Sequence, residues 1–452
     1  MGAGWDVRVV VPEGSGSCLM GRYVDVMRLD DYIDGLEPDE DARRRRLARE
    51  KSYEVTEYLE DFERAFEESV QGDDLFGSTS PSVFVGRSGY PDVSTGLLSP
   101  VAGDMDPESL VTDASWYGAV GIDDVVQRRS SLLNSNRRAD VRDAGANADS
   151  DSVHDAWSGF LGTQREVAIA GNPVDVEIGL DGTPELDLSG GEISAPRGPR
   201  ARANRAELAE NPYVPRPVKK TLEDDDWQAQ GAMTYLYRRG FDVYEINNIL
   251  SAGALGRGEN RRLVPTRWSI TAVDDTIGQY LRGQLRGTQS VDQVEVHENE
   301  FMGNRYWVVL APGTWEYELV EMKAPGSIWN QGDGDVWMGA ASEGFEGRTG
   351  YVEETAGAYY AARLGVLEHL ADRGRQAKCL VLREVSDDYW APVGVWQVRE
   401  SVRNAFDDEP GEAEDFATAV KAIEPHLPVS ANRLRRKSSM ASGLQSSLAD
   451  WT

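Results

Sequence analysis

The chain has 452 residues, 40% of them hydrophobic, and a formal charge of -30 from 77 acidic against 47 basic residues. That length and apolar content suffice for a sizeable core in two or three domains, and no apolar run approaches the roughly 18 to 20 residues that cross a bilayer. Two cysteines, Cys18 and Cys379, exclude a disulfide framework and a cysteine zinc finger. The start, Met1-Gly2-Ala3-Gly4-Trp5-Asp6, lacks the basic and apolar regions of a signal peptide, so a cytoplasmic protein with no membrane segment is expected. An Asp/Glu-rich surface whose cations are mostly arginine suits a protein kept soluble in concentrated salt, the solvent of a halophile.

In chain order, the segment from Glu37 to Val70 places Leu47, Tyr53, Val55, Tyr58, Leu59, Phe62 and Phe66 at roughly helical spacing, which predicts one or two amphipathic helices. Ser80 to Pro91 reads as a short strand and a turn. Strand-like runs follow at Glu166 to Ala170 and Val174 to Leu180, and a Gly-, Pro- and Arg-rich loop region spans Asp181 to Lys220. Helical spacing returns from Trp227 to Leu255, carried by Met233, Leu236, Ile246, Ile249 and Leu250, and stops at Gly253 and Gly256. Strands are expected at Tyr306 to Leu310, Tyr317 to Met322, Lys378 to Arg383 and Val393 to Gln397. Helices are expected at Glu353 to Arg373, Val398 to Phe406 and Phe416 to Ile423. From Val429 the Ser-, Arg- and Ala-rich sequence has no apolar period and reads as a disordered tether. No internal repeat stands out.

The last eight residues, Gln445 to Thr452, resemble the peptide that docks on PCNA-type sliding clamps. A Gln precedes an aliphatic residue by three positions, and an aromatic follows three later, so one helical turn puts Leu448 and Trp451 on one face. These two would plug an apolar pocket while Gln445 hydrogen-bonds at its rim. Three loosely defined positions also match by chance, and it is the terminal position that favours docking. The basic cluster Arg433, Arg435, Arg436 and Lys437 lies just upstream, either to touch DNA threaded through the ring or to solubilise a linker. In salt, an apolar plug keeps its strength where phosphate contacts weaken.

Three segments carry a wider likeness: Pro81-Ser82-Val83-Phe84-Val85-Gly86-Arg87 with Gly89-Tyr90-Pro91, Leu250-Ser251-Ala252-Gly253, and the long run from Leu263 to Thr276. On these the chain resembles the archaeal Nre proteins associated with DNA damage repair. The resemblance implies repair through the clamp. It also implies an N-terminal family region over 37–287 and a C-terminal one over 288–424, with a leading segment 1–36, a flexible basic tether 425–444 and the docking peptide 445–452. Many members are similar to zinc proteins at their N-terminus, with clustered cysteines. Here Cys18 stands alone in Ser17-Cys18-Leu19-Met20, so no zinc is expected.

Pro265 to Thr276 concentrates Thr266, Arg267, Ser269, Thr271, Asp274 and Asp275. Arginine makes bidentate phosphate contacts, hydroxyls add donors, and paired carboxylates can hold a divalent metal. Thr266, Arg267, Ser269 and Thr271 are therefore candidates for nucleotide or phosphate binding, and Asp274 and Asp275 for catalysis. The alternative is a buried strand-to-helix junction that one of the aspartates caps. Arg257, Arg261 and Arg262 would either extend an anion-binding surface or form a solvated loop. Glu321 and Lys323 share one face of a predicted strand, an arrangement that Mg²⁺-dependent nucleases use and that half-exposed strands of acidic proteins also produce. The loop Asn330 to Asp335 lacks the twelfth-position Glu of a calcium loop and reads as a turn. His154, His297, His369 and His426 show no ligand spacing, and no Gly-x-Ser-x-Gly, Walker lysine loop or dinucleotide fingerprint is present.

The expected fold is mixed α/β (α+β), with two family regions packed into one globular body and a disordered C-terminal tail. The expected function is DNA damage repair by a protein that PCNA recruits to DNA and whose core binds DNA or nucleotide. Two alternatives stand beside it: a metal-dependent nuclease or nucleotide phosphodiesterase using Mg²⁺ or Mn²⁺, and a non-enzymatic adaptor linking the clamp to other repair factors.

Overall fold

Thirteen strands in two mixed sheets and ten α-helices make up the residues described by the computed structural model, 70–71, 74–79, 82–100, 106–144, 157–181, 198–224, 226–327, 329–330 and 334–443. All of these residues fall in one compact unit, Val55–Thr452. The expected helices over 37–69, Cys18, His154 and the peptide Gln445 to Thr452 lie outside the described residues.

The first sheet contains β1 (Val70–Gln71), β2 (Asp74–Thr79), β3 (Val83–Val85), β4 (Asp92–Pro100), β5 (Leu132–Asp140), β6 (Val174–Leu180) and β7 (Arg200–Leu208). Its order is β1-β2-β6-β7-β5-β4-β3, antiparallel except for β5 with β7. The second contains β8 (Val294–Phe301), β9 (Asn304–Ala311), β10 (Glu316–Lys323), β11 (Trp337–Glu343), β12 (Lys378–Val385) and β13 (Gly411–Ala413). Its order is β11-β10-β12-β9-β8-β13, with only β10 and β12 parallel. The helices are α1 (Ile122–Ser130), α2 (Gly159–Ile169), α3 (Arg216–Glu223), α4 (Ala229–Arg238), α5 (Val243–Ser251), α6 (Thr266–Leu285), α7 (Ala356–Arg373), α8 (Trp396–Asn404), α9 (Phe416–Ile423) and α10 (Ala431–Lys437).

Strand residues alternate faces, so the apolar runs of β9, β10 and β12 must be covered on both sides. Tyr306, Val308, Leu319 and Val381 pack against Leu236, Ile246, Ile277, Tyr359 and Leu367 from α4 to α7. Their neighbours Val309, Val320 and Leu380 pack on the opposite face against Val420, Ile423 and Leu434 from α9 and α10. The first sheet buries Leu97, Leu133 and Ile178 against Phe160 and Val167 of α2. Because one core joins Leu236 and Ile277 to Leu319 and Val381, the two expected regions form a single mixed α/β body. At its centre α7 is buried on most of its circumference, and Gly365 admits α8, since a Cβ there would lie 3.0 Å from Val402.

Several local expectations give way to tertiary context. Glu166 to Ala170 is the end of α2 and not a strand, and Val393 to Gln397 is a loop that enters α8 at Trp396. Both runs are five residues long and mostly apolar, too short for helical and strand periods to be separated. β7 lies inside the predicted loop, with Ala201, Ala203 and Ala206 buried between arginines; alanine has little strand preference, and pairing with β5 and β6 decides.

The expected tether also departs from its reading. Residues 425–444 include α10, whose Leu434 is fully buried, and Val429 and Ala441 sit in the same core. Buried Glu318 on β10 accepts hydrogen bonds from Ser438 Oγ at 2.7 Å, Ser439 N at 3.0 Å and Met440 N at 2.9 Å, fixing this segment to the sheet. Val429, Leu434, Ala441 and the Glu318 carboxylate anchor the segment at widely spaced points, so it shows no apolar period.

Candidate nucleic-acid interface

The first turn of α6 is tied to β3 of the first sheet and to α5. Thr266 Oγ1 accepts from the Val85 amide at 2.9 Å and lies 3.2 Å from Ser251 Oγ, and buried Ser269 donates to Asn247 Oδ1 at 2.5 Å. Thr266 and Ser269 therefore spend their hydroxyls inside the protein. A helix turns about 100° per residue, so the positions between them face outward. Arg267, Trp268, Thr271, Ala272, Asp275 and Gln279 form one stripe along a cleft of about 590 Å³. Of the four nucleotide-binding candidates, Arg267 and Thr271 line the cleft and Thr266 and Ser269 do not.

The opposite walls come from two loops that sequence reading did not join. Arg87 follows β3, and Arg348, Thr349, Gly350 and Tyr351 precede α7. Tyr90 packs on Trp268 with ring centroids 5.3 Å apart, and Tyr351 stacks on Tyr360 at 5.8 Å. The rings stay open to solvent, with Tyr90 at 53%, Trp268 at 44% and Tyr351 at 59% exposure. A signal for these residues was present in the sequence. Gly86-Arg87-Ser88-Gly89-Tyr90 and Gly347-Arg348-Thr349-Gly350-Tyr351 are two copies of one pentapeptide pattern. The copies share side chains and not backbone form: Gly89 is left-handed in the first (φ 83°) and Gly347 in the second (φ 77°).

Among the described residues, no hydrogen bond or ion pair engages the guanidinium of Arg87 or Arg267, while Arg348 Nη1 donates to the Ser342 carbonyl at 2.8 Å. One helical step beyond Gln279, the Nε and Nη1 groups of Arg282 are buried with no partner among the described residues. Asp275 is the one carboxylate lining the cleft, and Arg363 neutralises it at 2.5 Å. Cations thus prevail locally on a chain whose formal charge is -30.

The catalytic candidates are held elsewhere and apart. Asp274 and Asp275 are consecutive in mid-helix, neither capping it nor sharing a site. Buried Asp274 accepts three hydrogen bonds from Arg399 in the core, Nε at 3.1 Å and Nη2 at 2.8 Å to Oδ1 and Nη2 at 2.7 Å to Oδ2. Asp275 belongs to a second chain, in which Arg363 also binds buried Glu343 at 2.8 Å, which in turn accepts from Tyr359 and Trp315. Glu321 and Lys323 do share a strand face, 3.4 Å apart, but the Glu321 carboxylate binds Arg383, itself held by Asn304 at 2.8 Å, and Lys323 lies 4.1 Å from the Trp337 ring centroid. With each carboxylate already matched to its own arginine, a paired-carboxylate metal site has no geometry here. Arg261 is buried and donates to the carbonyls of Gly256 and Leu222, and neither Arg257 nor Arg262 lines the cleft.

Two histidines that show no ligand spacing in sequence do meet in space. Glu295, His297 and His369 bring potential ligand atoms within 4.8 Å of one another, from β8 and α7. Arg373 already takes two of the three ligands, at 2.6 and 2.8 Å from the Glu295 oxygens and 3.3 Å from His369 Nε2, so an ion would have to displace it. Burial, then the Arg373 charge, lowers His369 to about 4 from an ordinary 6.5, and its ring stacks on Phe406 with centroids 3.8 Å apart. His297 is lowered by burial, and Glu295 by its Arg373 hydrogen bonds. The unfolded chain takes up the His369 proton below pH 6.5 while the fold resists it until about 4. Stability is then complete above that window and declines as pH falls through it. Denaturant midpoints measured across the window should show this decline, and His369→Phe, which keeps the stack, should flatten it; an unchanged slope would remove His369 as its source.

Fold and cleft together define a mixed α/β protein with an arginine-lined, aromatic-rimmed surface. Family models described as "Archaeal Nre, N-terminal" and "Archaeal Nre, C-terminal" match residues 47–330 and 343–451, and the chain belongs to the archaeal Nre family. It is 64% identical over 429 residues to the DNA repair protein NreA of Haloferax volcanii, covering 94% of this chain and 100% of that one. It is 36% identical over 351 residues to the DNA repair protein NreA of Archaeoglobus fulgidus, covering 77% of this chain and 84% of that one. To the DNA repair protein NreB of the same organism it is 33% identical over 368 residues, covering 81% and 89%. No solved structure matches it. Among the described residues, no helix is long and apolar enough to cross a membrane.

Proposed function

We propose that this protein serves DNA damage repair in the cytoplasm: the sliding clamp PCNA recruits it through Gln445, Leu448 and Trp451, and its core touches DNA at the cleft beside α6. The observation that carries the core's part is the convergence of Arg87, Arg267 and Arg348 on one cleft of a chain with formal charge -30. An acidic protein that gathers cations in one concave place is built to meet an anion there, and phosphates are the anions that arginine forks fit best. The relatives named as DNA repair proteins support DNA as their source. The nuclease reading loses its footing, because Asp274, Asp275 and Glu321 each serve an arginine and leave no open pair for Mg²⁺ or Mn²⁺. Binding without catalysis, including an adaptor role, fits the geometry better.

The test is survival after DNA damage in a host lacking the gene, complemented with the wild-type chain or with Arg87→Glu/Arg267→Glu. Lowered survival in the deletion and in the charge-reversed strain is expected. A deletion strain as resistant as its parent would sink the repair role, and full rescue by the charge-reversed chain would remove the cleft from it.

A further inference from the structure

We infer that the cleft takes an unpaired DNA strand, whose bases stack on Tyr90, Trp268 and Tyr351 and whose phosphates meet Arg87, Arg267 and Arg348. This rests on the reading that the core touches DNA and narrows it to one form of DNA. Both Gly-Arg-Ser/Thr-Gly-Tyr loops border the α6 stripe: Arg87, Arg348 and Tyr351 line the cleft, and Tyr90 lies beside it against Trp268. Separate chain segments thus each supply an arginine at the cleft and a tyrosine in or beside it. A strand that repeats one phosphate and one base per nucleotide is a partner that such a repeated pair matches.

The exposed rings decide between single and double strands. In a duplex the bases stack on one another and offer only their edges, whereas an unpaired strand offers its base faces. Arginines alone would serve either form, because they read only phosphate. Tyr90 at 53%, Trp268 at 44% and Tyr351 at 59% exposure are surfaces that a solvent-adapted acidic protein gains nothing by leaving open, unless something flat covers them. Tyr90 on Trp268 and Tyr351 on Tyr360 make two braced platforms, so stacking does not require loose rings to be ordered first. Stacking also resists salt, while counterion release fades in it. Half-buried Arg282, whose Nε and Nη1 are enclosed with no partner among the described residues, extends the cationic stripe past Gln279 under the second loop, where a Cβ on Gly347 would fall 1.5 Å from its Nη1. Glycine at 347 is what lets that loop close over the arginine.

The experiment is fluorescence anisotropy of the full chain with a labelled thymidine oligomer of about 12 nucleotides, a duplex of equal length, and a uridine oligomer, each over a salt series. The single DNA strand should bind at least tenfold more tightly than the duplex. Trp268→Ala and Tyr351→Ala should each weaken it about tenfold with the salt slope unchanged, consistent with one lost stacked base. Arg87→Gln and Arg267→Gln should each shallow the logarithmic salt slope by about 0.7. All four positions are exposed, and thermal melts in salt confirm that the variants fold. Duplex bound as tightly as single strand overturns this inference while leaving a DNA contact in place. Tighter binding of the uridine oligomer overturns the assignment to DNA. Failure to bind any of the three, or binding that ignores all four variants, removes the cleft as a nucleic-acid site altogether.

Discussion

Arg399→Met costs about 3 to 5 kcal/mol of stability, because it strands the Asp274 carboxylate in the main core. Both groups are almost fully enclosed, and the arginine contributes Nε at 3.1 Å to Oδ1 and Nη2 at 2.8 and 2.7 Å to the two oxygens. Burial pushes the Asp274 carboxyl up and the Arg399 charge pulls it down, so removing the arginine leaves burial unopposed. The variant's carboxyl then holds its proton to higher pH in the fold than in the unfolded chain. Its deficit against wild type should therefore be smallest in acid and grow as pH rises. Asp274→Leu/Arg399→Met removes both charges together and should lie much nearer wild type than the single variant. Denaturant unfolding in concentrated salt measures all three, and because the pair is buried, salt should not screen the difference. A single variant costing under about 1 kcal/mol would show that water reaches the pair, and would reopen Asp274 to the chemistry first considered for it.

Leu448→Ala/Trp451→Ala should abolish capture by the host clamp, costing more than about 2 kcal/mol, or roughly 30-fold in affinity. Aromatic and aliphatic anchors in an apolar groove carry such interfaces, and their strength should persist in molar salt. Only Ser442, Gly443 and Leu444 separate the buried Ala441 from Gln445, so the peptide would leave from a fixed point on the second sheet and not from a long tether. A clamp pull-down and a titration with the full chain give the result. Undiminished capture by the double variant would discard the peptide as the docking element. Affinity for the thymidine oligomer should be the same in this variant, since the cleft and the peptide occupy different parts of the chain.

Sequence patterning finds β9, β10 and β12 at the centre of the second sheet, where apolar residues cluster, and misses its outer strands β8, β11 and β13, whose polar residues leave no local signal. It read α2, β7 and α10 poorly because each depends on what packs against it: a sheet face, two partner strands and the Glu318 carboxylate. In sequence, the polar residues between Leu263 and Thr276 form one dense group. A helix divides them by rotation: Arg267 and Thr271 reach the cleft, Thr266 and Ser269 bond inward, and Asp274 enters the core.

By itself the sequence determined the family likeness, the mixed α/β character and the formal charge of -30, since these are written in composition and contiguous residues. Only the tertiary structure decided which polar groups are available to a ligand. Availability depends on whether a charge has met its counter-charge, and Asp274 finds Arg399, Asp275 finds Arg363 and Glu321 finds Arg383 across intervals that no local pattern encodes. The same long-range packing brought two like pentapeptides, at 86–90 and 347–351, to one helix, with Arg87, Arg348 and Tyr351 lining an open cleft and Tyr90 packed on its Trp268.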